Sequence, residues 1–349
     1  MQDAAIVTRV KKLCGKMPQI QNKAIEEGKG TKPAINKMWQ PYKNELIHFR
    51  PGECRTVLVV GAGASAHLGF PLGAELCSTI ISNTRNRESE PFKNLVTMGF
   101  SHATILSFHA DIEKPFPRSI DEFLSDRSEF IDIGRAAIAQ ILIACEDEKR
   151  LRLRDDNWYG LLRDRIKEEI LRNEFRPVIV NFNYDLSLDK FLYDFLSSTF
   201  PGRYAAMKSE DDVRVFHVHG RLGYLDYEVT RTPRRSYGKP LSPNEMLLAS
   251  QGIRIPTQLD NDFGRDMMFA QKVIQEAERV IFIGFGYDDN NLYRLGVDAW
   301  EPQKYYGTAY KLGQARIKEL MTRSADKLNL GSPGENVFDY LTSADFWKK

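Results

Sequence analysis

The stretch Thr56-Val57-Leu58-Val59-Val60-Gly61-Ala62-Gly63-Ala64-Ser65 decides the fold. The β-branched run Thr56–Val60 predicts a strand buried on both faces, as strands of a parallel sheet are. The glycine turn follows without a gap and continues through Ala66 to Gly69-Phe70-Pro71-Leu72-Gly73. Glycines there let the chain turn tightly and bring amide N–H groups and a helix N-terminus to a pyrophosphate. Strand, G-x-G-x-x-A turn and helix in that order predict a nucleotide- or dinucleotide-binding unit; a purely structural tight turn is the alternative. A dehydrogenase would place an acidic residue about 20 positions on, at the end of a second strand, to hold a ribose. Here that region is Ser82-Asn83-Thr84-Arg85 with no strand before it, so hydride transfer is not expected.

Outward from this unit, Val178–Val180, Val213–Val218 and Val280–Ile283 read as further buried strands. All but Val213–Val218 lead directly into a polar turn and a helical pattern. The alternation predicts an α/β fold, a doubly wound parallel (Rossmann-like) sheet. The long stretch between Val60 and Val178 reads as helix, giving a helical insertion lobe after the first βα unit, about residues 85–175. Within it Ser119-Ile120-Asp121-Glu122 has the spacing of a capping box, and Ala136–Glu148 and Tyr159–Asn173 have helical periodicity. In the second, Leu161, Leu162, Ile166, Ile170 and Leu171 share one side. Ser242-Pro243-Asn244-Glu245 marks another helix start. The expected organisation is an N-terminal helical arm (1–55), the α/β domain (56–315) and a C-terminal helical tail (316–349).

Composition narrows the class. Of 349 residues 42% are apolar and 28% charged, which fits a folded domain rather than a disordered or fibrous chain. The 49 Lys and Arg against 47 Asp and Glu are too balanced to suggest direct nucleic-acid binding. Cys14, Cys54, Cys77 and Cys145 form no C-x-x-C pair, so no zinc ribbon or other metal site is expected. Sparse cysteines, no signal-peptide block in Met1–Gly15 and no apolar run of spanning length lead to the expectation of a cytoplasmic, non-membrane protein.

Three further segments carry polar groups at the ends of predicted strands, where such sheets bind ligands. Asn181-Phe182-Asn183-Tyr184-Asp185 follows the second strand, with Asp185 or Ser187 also able to cap the next helix. His217-Val218-His219-Gly220 ends the third. His217, embedded in the strand, reads as a packed histidine more readily than as half of a metal pair, whereas His219 sits at the strand's exit. Gly284-Phe285-Gly286-Tyr287-Asp288-Asp289-Asn290 ends the fourth, with Asp289 or Asn290 placed to cap a helix. The basic loop Arg231–Lys239, with Arg234 and Arg235, reads as solvated, contact with phosphate or a partner being the alternative.

In their order and spacing these segments resemble the sirtuin family, and more closely its bacterial sirtuin-like branch of antiphage defence. Ser119-Ile120-Asp121-Glu122-Phe123-Leu124 looks like a helix of that family's insertion. The resemblance covers about residues 55–310. Two departures stand out: the paired zinc cysteines of the protein deacylases are missing, and Asn290 stands where a proline is usual. The resemblance therefore implies a hydrolase of NAD, with NAD as substrate, that cleaves the nicotinamide–ribose bond. On its pattern Asn183 fixes the ribose hydroxyls and the water, and His219 acts as general base near its ordinary pKa or bonds the ribose. Gly61, Ala62, Gly63, Ala64 and Ser65 hold the pyrophosphate; Gly284, Gly286 and Tyr287 hold the adenosine half; Asp185 contacts ribose or caps. It also implies a homo-oligomer gated by a separate protein such as a HerA-type ring ATPase. An NAD- or ADP-ribose-binding subunit, and an ADP-ribosyl transferase, are the competing readings.

Overall fold

The computed structural model describes residues 56–114, 117, 119–152, 157–172, 178–201, 213–228, 230, 232–255, 261–297 and 304–344. The arm expected over 1–55 lies outside them, as does Arg231. The strands are β1 (Thr56–Val60), β2 (Val178–Asn181), β3 (Arg214–His217), β4 (Tyr224–Leu225), β5 (Arg234–Arg235), β6 (Arg279–Ile283), β7 (Lys304–Gly307) and β8 (Leu328–Leu330). The helices are α1 (Gly73–Arg85), α2 (Glu90–Thr97), α3 (His102–Glu113), α4 (Ile120–Asp126), α5 (Ile131–Cys145), α6 (Glu148–Leu151) and α7 (Trp158–Arg172). They continue with α8 (Ser187–Thr199), α9 (Pro243–Ser250), α10 (Asn261–Glu276), α11 (Asp289–Leu295), α12 (Gln314–Arg323) and α13 (Val337–Ser343).

Six strands form one sheet in the order β3-β2-β1-β6-β7-β8, every neighbouring pair parallel. The order turns back at β1, which pairs with both β2 and β6. That is the switch point where sheets of this kind open a crevice at the carboxyl ends of the strands. The register brings Val60, Asn181, His217 and Ile283 to one level, so the four segments singled out in the sequence leave the sheet side by side. Helices cover both faces: Val57, Leu58 and Val59 of β1 and Val280, Ile281, Phe282 and Ile283 of β6 are fully buried. Each such side chain contributes about 1.5–3 kcal/mol through burial, which is why these runs carry no alternation.

The helical insertion is present as α2–α7. Its core is continuous with that of the sheet, since Phe108, Leu124, Ile138 and Ile166 belong to the same apolar cluster as Leu58, Ile179 and Ile281. At α9 the expected cap is complete, with the Ser242 hydroxyl accepting from the Glu245 amide and the Glu245 carboxylate from the Ser242 amide. On α7 the buried stripe is Leu162, Ile166 and Ile170; Leu171, one position further round, is exposed instead.

Two expectations are corrected. The C-terminal tail is not simply helical, because β8 lies between α12 and α13 and extends the sheet beyond β7. The basic loop is not wholly solvated. Arg235 is buried and grips Glu146, past the end of α5, with two hydrogen bonds of 2.6 and 2.5 Å, while its Nε donates to the Leu222 carbonyl. The Gly238 amide also donates to Glu146. Burial pushes the Glu146 carboxyl up, and Arg235 draws it back. Removing one partner leaves an uncompensated buried charge, so Arg235→Ala is expected to cost about 3–5 kcal/mol in denaturant unfolding. The double change Arg235→Met, Glu146→Leu should regain much of that loss, and a single variant as stable as wild type would contradict the assignment.

Candidate functional site

The end of β1 and the end of β2 meet in a buried polar chain. The Asn183 side-chain amide donates to Ser65 Oγ at 3.1 Å and to the Gly61 carbonyl at 3.0 Å. Ser65 Oγ–H in turn donates to Asp185 Oδ2 at 2.9 Å, and Asp185 Oδ1 accepts the Ser187 amide at 3.0 Å. Asp185 therefore braces the start of α8 one position before its N-cap, Leu186, and holds Ser65 as well. Asn183 is itself aligned by Asn181, whose side-chain oxygen accepts its backbone amide. Both amide hydrogens of Asn183 are spent within the protein, which leaves its carbonyl oxygen as the group it offers a ligand. Burial pushes the Asp185 carboxyl up, against the hydrogen bonds from Ser187 and Ser65.

The two glycine turns pack on each other rather than standing apart. A Cβ at Gly63 would lie 2.9 Å from Gly284 Cα, and one at Gly61 2.8 Å from the Gly284 carbonyl. The Gly61 and Gly63 amides donate to the Ile283 and Gly284 carbonyls, and the Ala64 and Ser65 amides to those of Gly61 and Ala62. In this form four of the five amides that the resemblance assigns to a pyrophosphate are engaged internally. Ala64 is buried, its carbonyl taken by the Trp158 indole at 2.8 Å. The accessible rim of the crevice is made instead by Ala62, Ala66, His67, Gly286 and Asp288, with Gly63 and Gly284 half-buried.

Tyr287, expected at the adenosine half, is a packing residue. It is fully buried, its hydroxyl donates to the Thr308 carbonyl, and its φ of 52° places it in the left-handed region. The cap of α11 is also shifted: Asp288 accepts the Asn291 amide, while Asp289 binds Arg316 and Arg323 of α12.

The two histidines differ from their sequence reading. His219 is buried, edge-on to Phe182 with ring centroids 5.0 Å apart, and 6.4 Å from the Tyr184 ring. Burial, with Arg294 adding to it, pushes its imidazole down to about 3. The ring is thus held neutral at physiological pH and is a weaker base than the ordinary imidazole expected from the sequence. His217 is buried as expected but polar in its contacts. Its Nε2 faces both Asp189 oxygens at 3.0 and 3.1 Å, and its Nδ1 lies 3.3 Å from the backbone carbonyl of Asn183. Burial raises the Asp189 carboxyl, but His217 and Arg221 outweigh it and hold it below its ordinary value.

The structure brings Ser65, Asn183 and Asp185 together and sets His219 across Phe182 and Tyr184 from them. No protein-family model and no curated protein matches this chain. A groove of about 530 Å³ lies elsewhere, between α6, α7 and α8, lined among others by Leu151, Lys167, Phe191 and Phe195. It contains none of the residues at the strand ends, and its Arg163 and Lys190 are paired with Asp164 and Asp194. Among the described residues no three His, Cys, Asp or Glu side chains form a group able to hold a metal ion, and no helix is long and apolar enough to cross a membrane. The residue that sequence reading missed is Asp121, read only as part of a helix start. It accepts a hydrogen bond from the Tyr184 hydroxyl.

Proposed function

We propose that this chain cleaves the nicotinamide–ribose bond of NAD, releasing nicotinamide and ADP-ribose. The observation that carries the reading is the buried chain Asn183–Ser65–Asp185 at the switch point, joining residues 118 and 120 positions apart at the place where such sheets bind nucleotides. A lone helix cap would need Asp185 but neither of the other two groups.

Nicotinamide leaves as a neutral molecule when the glycosidic electron pair passes to its ring nitrogen, so no acid is needed to protonate it. What the reaction needs is a fixed ribose, a shielded cationic sugar and one oriented water, which adds to the anomeric carbon and loses a proton to solvent. The carbonyl oxygen of Asn183 is held to accept from a ribose hydroxyl or from that water. Neutral His219 supplies a second polar contact between two aromatic rings, where charge on the sugar is not opposed by a charged imidazole. Gly286 and Ala62, both accessible at the rim, would take the remainder of the dinucleotide.

The resemblance extends the reading to depletion of cellular NAD in antiphage defence, in the cytoplasm, by a homo-oligomer switched on by a HerA-type ATPase. The engaged amides of Gly61, Gly63, Ala64 and Ser65 support such gating, because the pyrophosphate cradle has to open before it can be used. The same observation favours a second reading, a subunit that binds NAD or ADP-ribose with little turnover. Nicotinamide release by the purified chain, alone and reconstituted with the ATPase of its genomic neighbourhood, separates them. Slow release alone and fast release with the partner is expected; NAD bound but intact in both would favour the binding subunit.

A further inference from the structure

We infer that Asp121, brought to the sheet edge by α4 of the insertion, is a positioning residue that acts on His219 through the Tyr184 hydroxyl. The inference rests on the cleavage reading above. Tyr184 lies between Asn183 and Asp185 and is held at both ends. Its carbonyl accepts the Leu222 amide at 2.9 Å, and its hydroxyl donates to Asp121 Oδ1. The ring so fixed stands 6.4 Å from His219 at 35°, and Phe182 meets the imidazole edge-on at 5.0 Å. The His219 carbonyl accepts the Arg254 amide at 2.7 Å, so the main chain of His219 is pinned as well. The imidazole then takes the orientation that its two aromatic walls allow. Moving the phenol would move one wall.

Asp121 itself is half-buried. The groups acting on it come from several elements: Tyr184 after β2, Arg294 on α11, and Asp288 just before α11. The Cys77 thiol of α1 feels both Asp121 and Glu122, and Arg135 of α5 acts on Tyr184. Burial pushes the Asp121 carboxyl up to about 6, with the Tyr184 hydrogen bond and Arg294 opposing and Asp288 adding. Its charge therefore changes within the range in which a cellular enzyme is assayed, and the ionised form is the stronger acceptor for Tyr184.

The test is steady-state NAD cleavage between pH 5 and 8 by wild type, Asp121→Asn and Tyr184→Phe, each with the activating partner. Wild-type kcat should rise with pH through about 6. Both variants should lose that rise and roughly tenfold in kcat, with KM little changed, because a displaced group penalises the reacting geometry more than binding. Unfolding gives a readout independent of activity. A carboxyl raised in the folded state stabilises below its unfolded pKa and loses that contribution as pH rises through about 6, so wild type should lose stability there relative to Asp121→Asn. Variants with wild-type kcat and an unchanged pH profile would overturn the inference, whatever their melting temperatures. A wild type that never cleaves NAD would overturn the cleavage reading and this inference with it.

Discussion

Asn183→Ala is expected to reduce nicotinamide release by about a thousandfold, the scale on which one preorganised polar group at a reacting centre is worth. The fold should survive. The Gly61 carbonyl keeps the Ala64 amide as a partner and Ser65 keeps Asp185, so the loss in stability should be roughly 2 kcal/mol, that of the two hydrogen bonds removed. The pairing of a large rate effect with a small stability effect separates a site residue from a strut. Release assays alongside thermal melts check it. A variant that keeps wild-type turnover would remove Asn183 from the site.

The largest effect on stability is expected from Gly284→Ala. Gly284 has φ +58°, and a Cβ there would lie 2.0 Å from the Ala64 nitrogen and 2.3 Å from the Gly63 carbonyl carbon. Those are backbone atoms at the junction of β1 and β6, which cannot turn aside as a side chain could. The turn would have to separate from its neighbour, breaking the hydrogen bond from the Gly63 amide to the Gly284 carbonyl and disturbing the position of Ser65. A loss of at least about 4 kcal/mol, or failure to fold, should follow. Gly286→Ala is the control, two residues on in the same turn, where nothing lies within 4 Å of the new Cβ. It should change stability by about 0.5 kcal/mol or less. Equal melting temperatures for the two variants would contradict the packed-turn description.

What could be read from the sequence follows from how local each cause is. β1, β2 and β6 were legible because strands buried on both faces are written as unbroken apolar runs. β7 and β8 were not: Lys304-Tyr305-Tyr306-Gly307 and Leu328-Asn329-Leu330 are short, mixed in polarity, and become strands by pairing in turn beyond β6. The convergence of Asn183, Asp185 and the first glycine turn was legible from their places at strand ends. The hydrogen bonds that join them through Ser65 were not, since they span the whole insertion. Arg235 looked solvated within its own loop, and only Glu146, 89 positions earlier, makes it a buried residue. His219 was read with an ordinary imidazole pKa because residue type carries no information on burial. Asp121 was hidden for a similar reason: its helix start explained it locally, and Tyr184, 63 positions away, gives it a second role.

Whether water is the final acceptor of the sugar is tested by NAD cleavage in ¹⁸O-labelled water with the partner present. Nicotinamide and ADP-ribose should form in equal amounts, with one ¹⁸O on the anomeric carbon of the released ADP-ribose, and Asn183→Ala should form both about a thousandfold more slowly. NAD recovered intact, or ADP-ribose found only on protein and free of the label, would contradict it.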